Sequence, residues 1–193
     1  MARTREFDSD EALTKAMGVF WKKGYFDTSI DDLVDATGVS RYGLYGEFKN
    51  KHGLFMEALE LYQNTVVGSL FSVVEQPEAS LPQVREFLTR ILKAASHPMG
   101  RFGCLMCNTA SEVAPLDPVI EDKVRTFHKR FSAGFRQALK NAVSKSELHS
   151  DFDTKAGADF LVGILHASSS LNRSGAAQKV IENMIATALK TLS

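Results

Sequence analysis

The stretch from Thr28 to Phe55, TSIDDLVDATGVSRYGLYGEFKNKHGLF, leaves a chain few folds to choose from. It reads as two short helices around a tight turn, followed by the start of a third helix. Ser29 stands where a helix N-cap accepts amide hydrogens, and Asp32, three residues on, favours the positive helix end. Ile30, Leu33 and Val34 give the first helix one apolar stripe. Gly38 follows where a helix stops through a left-handed residue. Ser40 caps the second helix, whose Leu44 and Phe48, four apart, face inward. Arg41, Tyr42, Gly43 and Tyr45 are left facing outward. This is the pattern of a helix-turn-helix, whose second helix can enter a DNA major groove.

Elsewhere the apolar periodicity is helical, and the fold class expected is all-α. Helix one is predicted over about Asp8 to Lys23, with Leu13, Met17 and Phe20 on its buried face. A fourth helix starts near Lys51 and carries apolar residues as far as Ser69, long enough for a connecting rod. Further helices are expected from Leu81 to Ser96, Gly103 to Val113, Pro118 to Lys145, Thr154 to Leu171 and Ala176 to Leu192. His97-Pro98-Met99-Gly100 and Pro115 break the pattern, and Pro118 suits a first helical turn. The organisation expected is a helix-turn-helix domain over residues 1–52 and a larger helical domain over 53–193.

The chain has 193 residues, 23 basic against 23 acidic, and a formal net charge of zero. Bulk attraction to nucleic acid is therefore absent, and DNA binding needs local geometry. Arg3, Arg5, Arg41, Lys49 and Lys51 have to gather on one face while Asp27, Asp31, Asp32 and Asp35 point away. No apolar run reaches the roughly 18 residues of a membrane span. The N-terminus lacks the apolar core of a signal peptide, and two cysteines without such a signal point to thiols in a reducing cytoplasm. No membrane partner and no cofactor are expected.

The first segment resembles the DNA-binding domain of the TetR family of transcriptional regulators. The resemblance rests on Gly24–Tyr25, Thr28–Ser29, LxxATGVS from Leu33 to Ser40, LYxxF from Leu44 to Phe48 and KxxLF from Lys51 to Phe55. It departs at Gly46–Glu47, where the family often carries aromatic or His residues. The resemblance implies a ligand-responsive repressor that binds a palindromic double-stranded operator as a homodimer. It assigns DNA contacts to Thr28, Ser40, Arg41, Tyr42, Gly43, Tyr45 and Lys51. Thr28, Tyr45 and Lys51 would hold phosphates, Arg41 a guanine edge or a phosphate, and Gly43 would let the helix come close. Arg3 and Arg5 would form a minor-groove or phosphate arm. The family dimerises through its last two helices, which places Phe160, Ile164, Ile181 and Ile185 at the dimer interface.

A second segment, Arg101-Phe102-Gly103-Cys104-Leu105-Met106-Cys107-Asn108 with Glu112 after it, resembles a subgroup whose members sense small molecules. In some of them the cysteine matching Cys104 senses electrophiles or oxidants. Cys107, three residues on, shares its helical face and can serve as a resolving thiol. The resemblance puts a small organic effector among the helices of the larger domain. Tyr62, Phe87, Cys104, Asn108, Phe127, Phe131 and His166 are candidate pocket residues, with Ile91 and Met106. Plain core packing is the competing reading for each, and for His166 a hydrogen-bonded core histidine. Two other classes stay open: a helical interaction module with degenerate DNA binding, favoured by Glu47 and the neutral charge, and an enzyme with Cys104 as nucleophile. Against the enzyme, no Ser, His or Asp stands in a recognisable catalytic motif. A zinc site using Cys104, Cys107 and His97 or His128 lacks a second ligand pair at finger-like spacing, and no metal is expected.

Overall fold

The computed structural model describes residues 7–192, and among them it is all-helical. Two compact units divide the chain, the first ending at Val66 and the second beginning at Val67. The expected boundary at 52/53 falls inside the fourth helix. That helix belongs to the first unit because Leu54, Phe55, Ala58, Leu59 and Tyr62 are buried in it.

In the first unit, α1 (Ser9–Lys23), α2 (Ile30–Thr37), α3 (Arg41–Phe48) and α4 (Lys51–Tyr62) pack around one small core. Their starts are set locally. The Asp8 carboxylate accepts the amides of Asp10 and Glu11 at 2.9 and 3.0 Å. Ser29 and Asp32 close a reciprocal capping box on α2. Ser40 accepts the Gly43 amide at 3.1 Å and Asn50 the Gly53 amide at 2.8 Å. The α2 helix ends at Gly38 with φ 73° and ψ 9°, a left-handed turn that a side chain would strain. Ala12, Ala16 and Phe20 form the buried face of α1, whereas Leu13 and Met17 are only half-buried. Small residues on that line let α1 approach α4, and Phe20 then meets the Phe55 ring edge-on at 4.9 Å.

The expected unbroken rod beyond Lys51 is interrupted. A π-helical turn, Gln63–Val67, follows α4 and precedes the short α5 (Gly68–Phe71). Thr65, Val66 and Val67 are consecutive β-branched residues, and Gly68 follows them, a run that holds an α-helix poorly.

The second unit comprises α5, α6 (Leu81–Ala95), α7 (Leu105–Glu112), α8 (Pro118–Ser144), α9 (Thr154–Arg173) and α10 (Gln178–Thr191). Asp117 caps α8 through Val119 and Ile120, and Asp153 caps α9 through Lys155 and Ala156. The spine of α8 is the expected apolar line, Val124, Phe127, Phe131, Phe135 and Leu139, all buried. It meets Phe71 and Phe87 in an aromatic cluster, with Phe71 and Phe131 stacked 3.9 Å apart. The α9 helix lies along α8, and α10 packs on α9 and α6. No helix among the described residues is long and apolar enough to cross a membrane.

Two interior helix glycines differ in what surrounds them. A Cβ on Gly18 of α1 would have nothing within 4 Å, whereas one on Gly134 of α8 would lie 2.8 Å from the fully buried Phe71 ring. Gly18→Ala is expected to stabilise the protein by about 1 kcal/mol through helix propensity. Gly134→Ala is expected to destabilise it by about 1–3 kcal/mol through overpacking. Urea unfolding of the two variants checks the opposite signs.

Candidate nucleic-acid interface

The recognition helix α3 presents two faces fixed by burial. Leu44 and Phe48 are closed into the core, while Arg41 and Tyr42 stand on the exposed first turn. Tyr42 is 74% exposed, high for an aromatic side chain and informative for that reason. Tyr45 is half-buried beside them. Ser40 is exposed, and its Oγ accepts the Gly43 amide, a bond that does not use the hydroxyl hydrogen. Gly43 is bare for an internal reason. A Cβ there would come within 2.8 Å of Val39 Cγ1 and 3.4 Å of Ser40 Oγ, so a side chain would disturb the turn and the cap.

Thr28 requires a correction. It is fully buried, and its hydroxyl donates to the Gly24 carbonyl at 2.5 Å, so it stands away from any phosphate. Its role is structural, joining the end of α1 to the start of α2. Lys51 joins the same corner, its Nζ donating to the Thr28 carbonyl at 2.7 Å and lying 4.5 Å from the centre of the Tyr25 ring. Tyr25 packs on Phe55 at 4.8 Å and has His52 6.5 Å away. Tyr25 belongs to the Gly24–Tyr25 motif, and its sequence signal is an aromatic ring ahead of the basic start of α4. Arg3 and Arg5 lie outside the described residues.

The aspartates do not all point away. Asp31 on α2 faces Arg41 Nη2 at 3.5 Å, both groups well exposed. Asp32 accepts from Lys23 Nζ at 2.6 Å. This lysine, and then the Ser29 amide and hydroxyl, bring the Asp32 carboxyl from 3.8 to about 2. Arg41 therefore sits at the edge of an acid-lined surface, ready to exchange Asp31 for another acceptor.

In the second unit several candidate pocket residues turn out to be core. Phe87 and Phe131 are closed into the aromatic cluster, and Phe127 packs on Phe131 at 4.7 Å. Tyr62 lies in the first unit, edge-on to Trp21 at 4.9 Å. Half-buried polar groups are a better match to a ligand's needs. Asn108 Nδ2 donates to the Phe102 carbonyl at 2.8 Å. His166 Nε2 meets His128 Nε2 at 2.7 Å between α9 and α8, and burial holds both imidazoles below their ordinary range. The pairing of His128 with His166 joins residues 38 apart and leaves no signal in the sequence. Cys104 is the half-buried N-cap residue of α7, and Cys107 is buried three residues on. Among the described residues, no group of three or more His, Cys, Asp or Glu is placed to hold a metal.

The expected dimer residues divide. Ile164, Ile181 and Ile185 are buried within the chain itself, so they have no surface left for a partner. Phe160 on α9 is 42% exposed, and Val180 on α10 is exposed too.

The family described as bacterial regulatory proteins, tetR family, matches residues 12–58. The tetracyclin repressor-like C-terminal domain matches residues 80–187. The HTH-type transcriptional repressor ComR of Escherichia coli (strain K12) is 30% identical over 97% of this chain and 90% of its own length. A cysteine-substituted form of the TetR family regulator CifR, solved with a 26 bp double-strand operator DNA, superposes with a TM-score of 0.86 at 26% identity. That match covers 97% of this chain and 98% of that one. A TetR regulator from Chloroflexus aurantiacus has the same fold, with a TM-score of 0.84 at 20% identity over 95% of this chain and 92% of that one.

The Asp32 carboxyl titrates lower in the folded than in the unfolded chain, so the capping box and ion pair stabilise the protein above about pH 4 and are lost as pH falls through about 2. An NMR titration of the Asp32 carboxyl is expected to show a midpoint near 2. In Lys23→Met, which removes the largest cause, the midpoint is expected to rise toward 3.8.

Proposed function

The chain belongs to the TetR family of DNA-binding transcriptional regulators, and from that premise we propose that it represses transcription as a homodimer on a palindromic operator. The observation that carries the DNA reading is the exposed first turn of α3. Arg41 and Tyr42 stand out from it while Leu44 and Phe48 hold the helix to its core. The operator complex of CifR and the repressor ComR supply the parallel. In this reading Arg41 grips a guanine edge, Tyr42 and Gly43 follow the groove, and Ser40 and Tyr45 reach phosphates. Lys51 and Thr28 act behind them, because they fix the turn that aims α3.

Homodimerisation is assigned to the apolar surface that α9 and α10 leave uncovered, centred on Phe160 and Val180. Two-fold symmetry then matches the half-sites of the operator. Relief of repression is assigned to a small organic effector in the second unit, with Asn108 and His166 as its recognition groups, or to modification of Cys104. Such a ligand acts through its differential affinity for the DNA-competent and DNA-incompetent states.

Selection of duplexes from a random pool by the purified protein tests the reading. A palindromic consensus bound with steep salt dependence supports it, and failure to enrich any sequence overturns it. On the selected duplex, Arg41→Ala is expected to lose about ten- to hundredfold in affinity, matching the roughly 1–3 kcal/mol of a bidentate base contact. It is also expected to lose preference at one base per half-site. Phe160→Glu is expected to sediment as a monomer at micromolar concentration and to bind the duplex weakly, while keeping its helical circular dichroism.

A further inference from the structure

Two imidazoles from different helices of the second unit converge on one point. His128 on α8 and His166 on α9 bring their Nε2 atoms to 2.7 Å. The ring centroids are 4.7 Å apart and the planes cross at 63°. At that distance two N–H groups would repel, so at least one Nε2 is bare and carries a free lone pair. The other holds the single hydrogen between them. Helix packing does not require this arrangement, since an aliphatic pair fills such a gap without desolvating polar nitrogens.

The backbone on both sides is fixed. Phe127 and Phe131 are buried on α8 to either side of His128, and Leu165 and Ser168 on α9 to either side of His166. One turn beyond His166, the buried Ser169 Oγ accepts the Cys104 amide at 2.7 Å and ties α9 to the start of α7. The two rings are the parts left to adjust. Both are half-buried, so solvent reaches the pair. Arg125, one turn before His128, is drawn back along α8 by Asp122 at 2.7 Å and Glu121 at 3.6 Å, which offsets its charge.

We propose that His128 and His166 chelate a divalent transition ion of the class that prefers imidazole nitrogen, such as zinc or nickel. Two nitrogens bound to one tetrahedral ion at about 2.0–2.1 Å lie roughly 3.3 Å apart. The Nε2 atoms therefore part by about 0.6 Å from their 2.7 Å contact, a movement that side-chain rotation supplies. The ring that donated carries its hydrogen on Nδ1 instead, so both rings stay neutral and both Nε2 lone pairs face the ion. No third His, Cys, Asp or Glu among the described residues joins them, so water completes the coordination. Such a site exchanges its ion, unlike a closed structural one. Imidazole also selects against calcium and magnesium, which take oxygen ligands. Bound, the ion joins α8 to α9 by two metal–nitrogen bonds in place of one hydrogen bond. This goes beyond the repressor and effector reading and does not rest on it, because ion binding is measured without DNA.

The test titrates the full chain with Zn²⁺ against a fluorescent chelator, in a buffer that does not bind metal. A chain carrying Cys104→Ser and Cys107→Ser serves as the background, so that thiols do not compete for the ion. One ion per chain is expected. Loss of even an outer partner of a metal ligand costs about 10–100-fold in affinity, so His128→Gln and His166→Gln are each expected to weaken binding by at least about tenfold. Both are expected to keep their helical circular dichroism. At a hundredfold excess over its Kd, Zn²⁺ is expected to raise the thermal midpoint by roughly 5 °C, and Mg²⁺ to leave it unchanged. A second measurement needs no variant. In the unsubstituted chain, the ring ¹⁵N resonances of His128 and His166 are expected to move on adding Zn²⁺ while those of His52, His97 and His149 stay. Binding that survives both glutamine variants, loss of binding in the cysteine-free background, or resonances that move at other histidines instead overturns the site. Should a glutamine variant misfold, the resonances of the unsubstituted chain decide.

Discussion

Everything the first unit offers to a partner depends on one corner, where Lys51 donates to the Thr28 carbonyl and the Thr28 hydroxyl donates to Gly24. These bonds join the end of α1, the start of α2 and the start of α4 at a single point. The recognition helix α3 makes none of them, yet it is held between α2 and α4 and takes its direction from both. Because Thr28 is fully buried, its hydroxyl would carry a desolvation cost of about 1–3 kcal/mol if left without an acceptor. The Gly24 carbonyl supplies one within hydrogen-bonding distance. The ammonium of Lys51 gains further from the Tyr25 ring beneath it, an interaction of about 0.5–2 kcal/mol. The corner is thus maintained by groups that a sequence comparison would place at the DNA surface.

The second unit is organised by a different kind of constraint. The stacked Phe71 and Phe131, with Phe87, Phe127 and Phe135 around them, bring α5, α6 and α8 together by area and shape rather than by directed bonds. Polar groups lie at the margin of that cluster. The His128–His166 pair and the Ser169 bridge join α9 to α8 and to the start of α7 through single hydrogen bonds. An apolar core of this density resists deformation, so any response to a ligand or an oxidant falls to the few directed contacts beside it. Those contacts meet at α9, the helix that also presents Phe160.

How much of this was legible in the sequence follows from the range of each interaction. Helix starts at Asp8, Ser29, Ser40, Asp117 and Asp153 were readable, or nearly so, because a cap and the amides it holds are two or three residues apart. The spine of α8 was readable because five large apolar residues keep one helical period. The buried line of α1 was not. Ala12 and Ala16 carry little hydrophobic signal, and their burial depends on how closely α4 comes. Thr28 misled for a related reason, since a hydroxyl at a helix corner suits a phosphate and a buried carbonyl equally well. Ile181 and Ile185 misled because an apolar face does not say whether it meets its own chain or another. Both meet their own chain, and the exposed apolar residues on α9 and α10 are one position away from buried ones, Phe160 beside Leu161 and Val180 beside Ile181.

A chain with no net charge that binds DNA faces a particular energetic balance, and in the proposed interface the Arg41–Asp31 pair bears on it. At this exposure the ion pair is worth about 0–1 kcal/mol, too little to hold Arg41 against a good base contact of about 1–3 kcal/mol. It is enough to compete with a weak or misplaced acceptor. DNA that offers a well-placed guanine gains more than it displaces, whereas DNA that offers only a distant phosphate gains almost nothing. In the proposed interface such an acidic face would lower affinity most where no base contact compensates. Neutrality in such a protein reduces non-specific binding and increases the ratio by which a correct site is preferred.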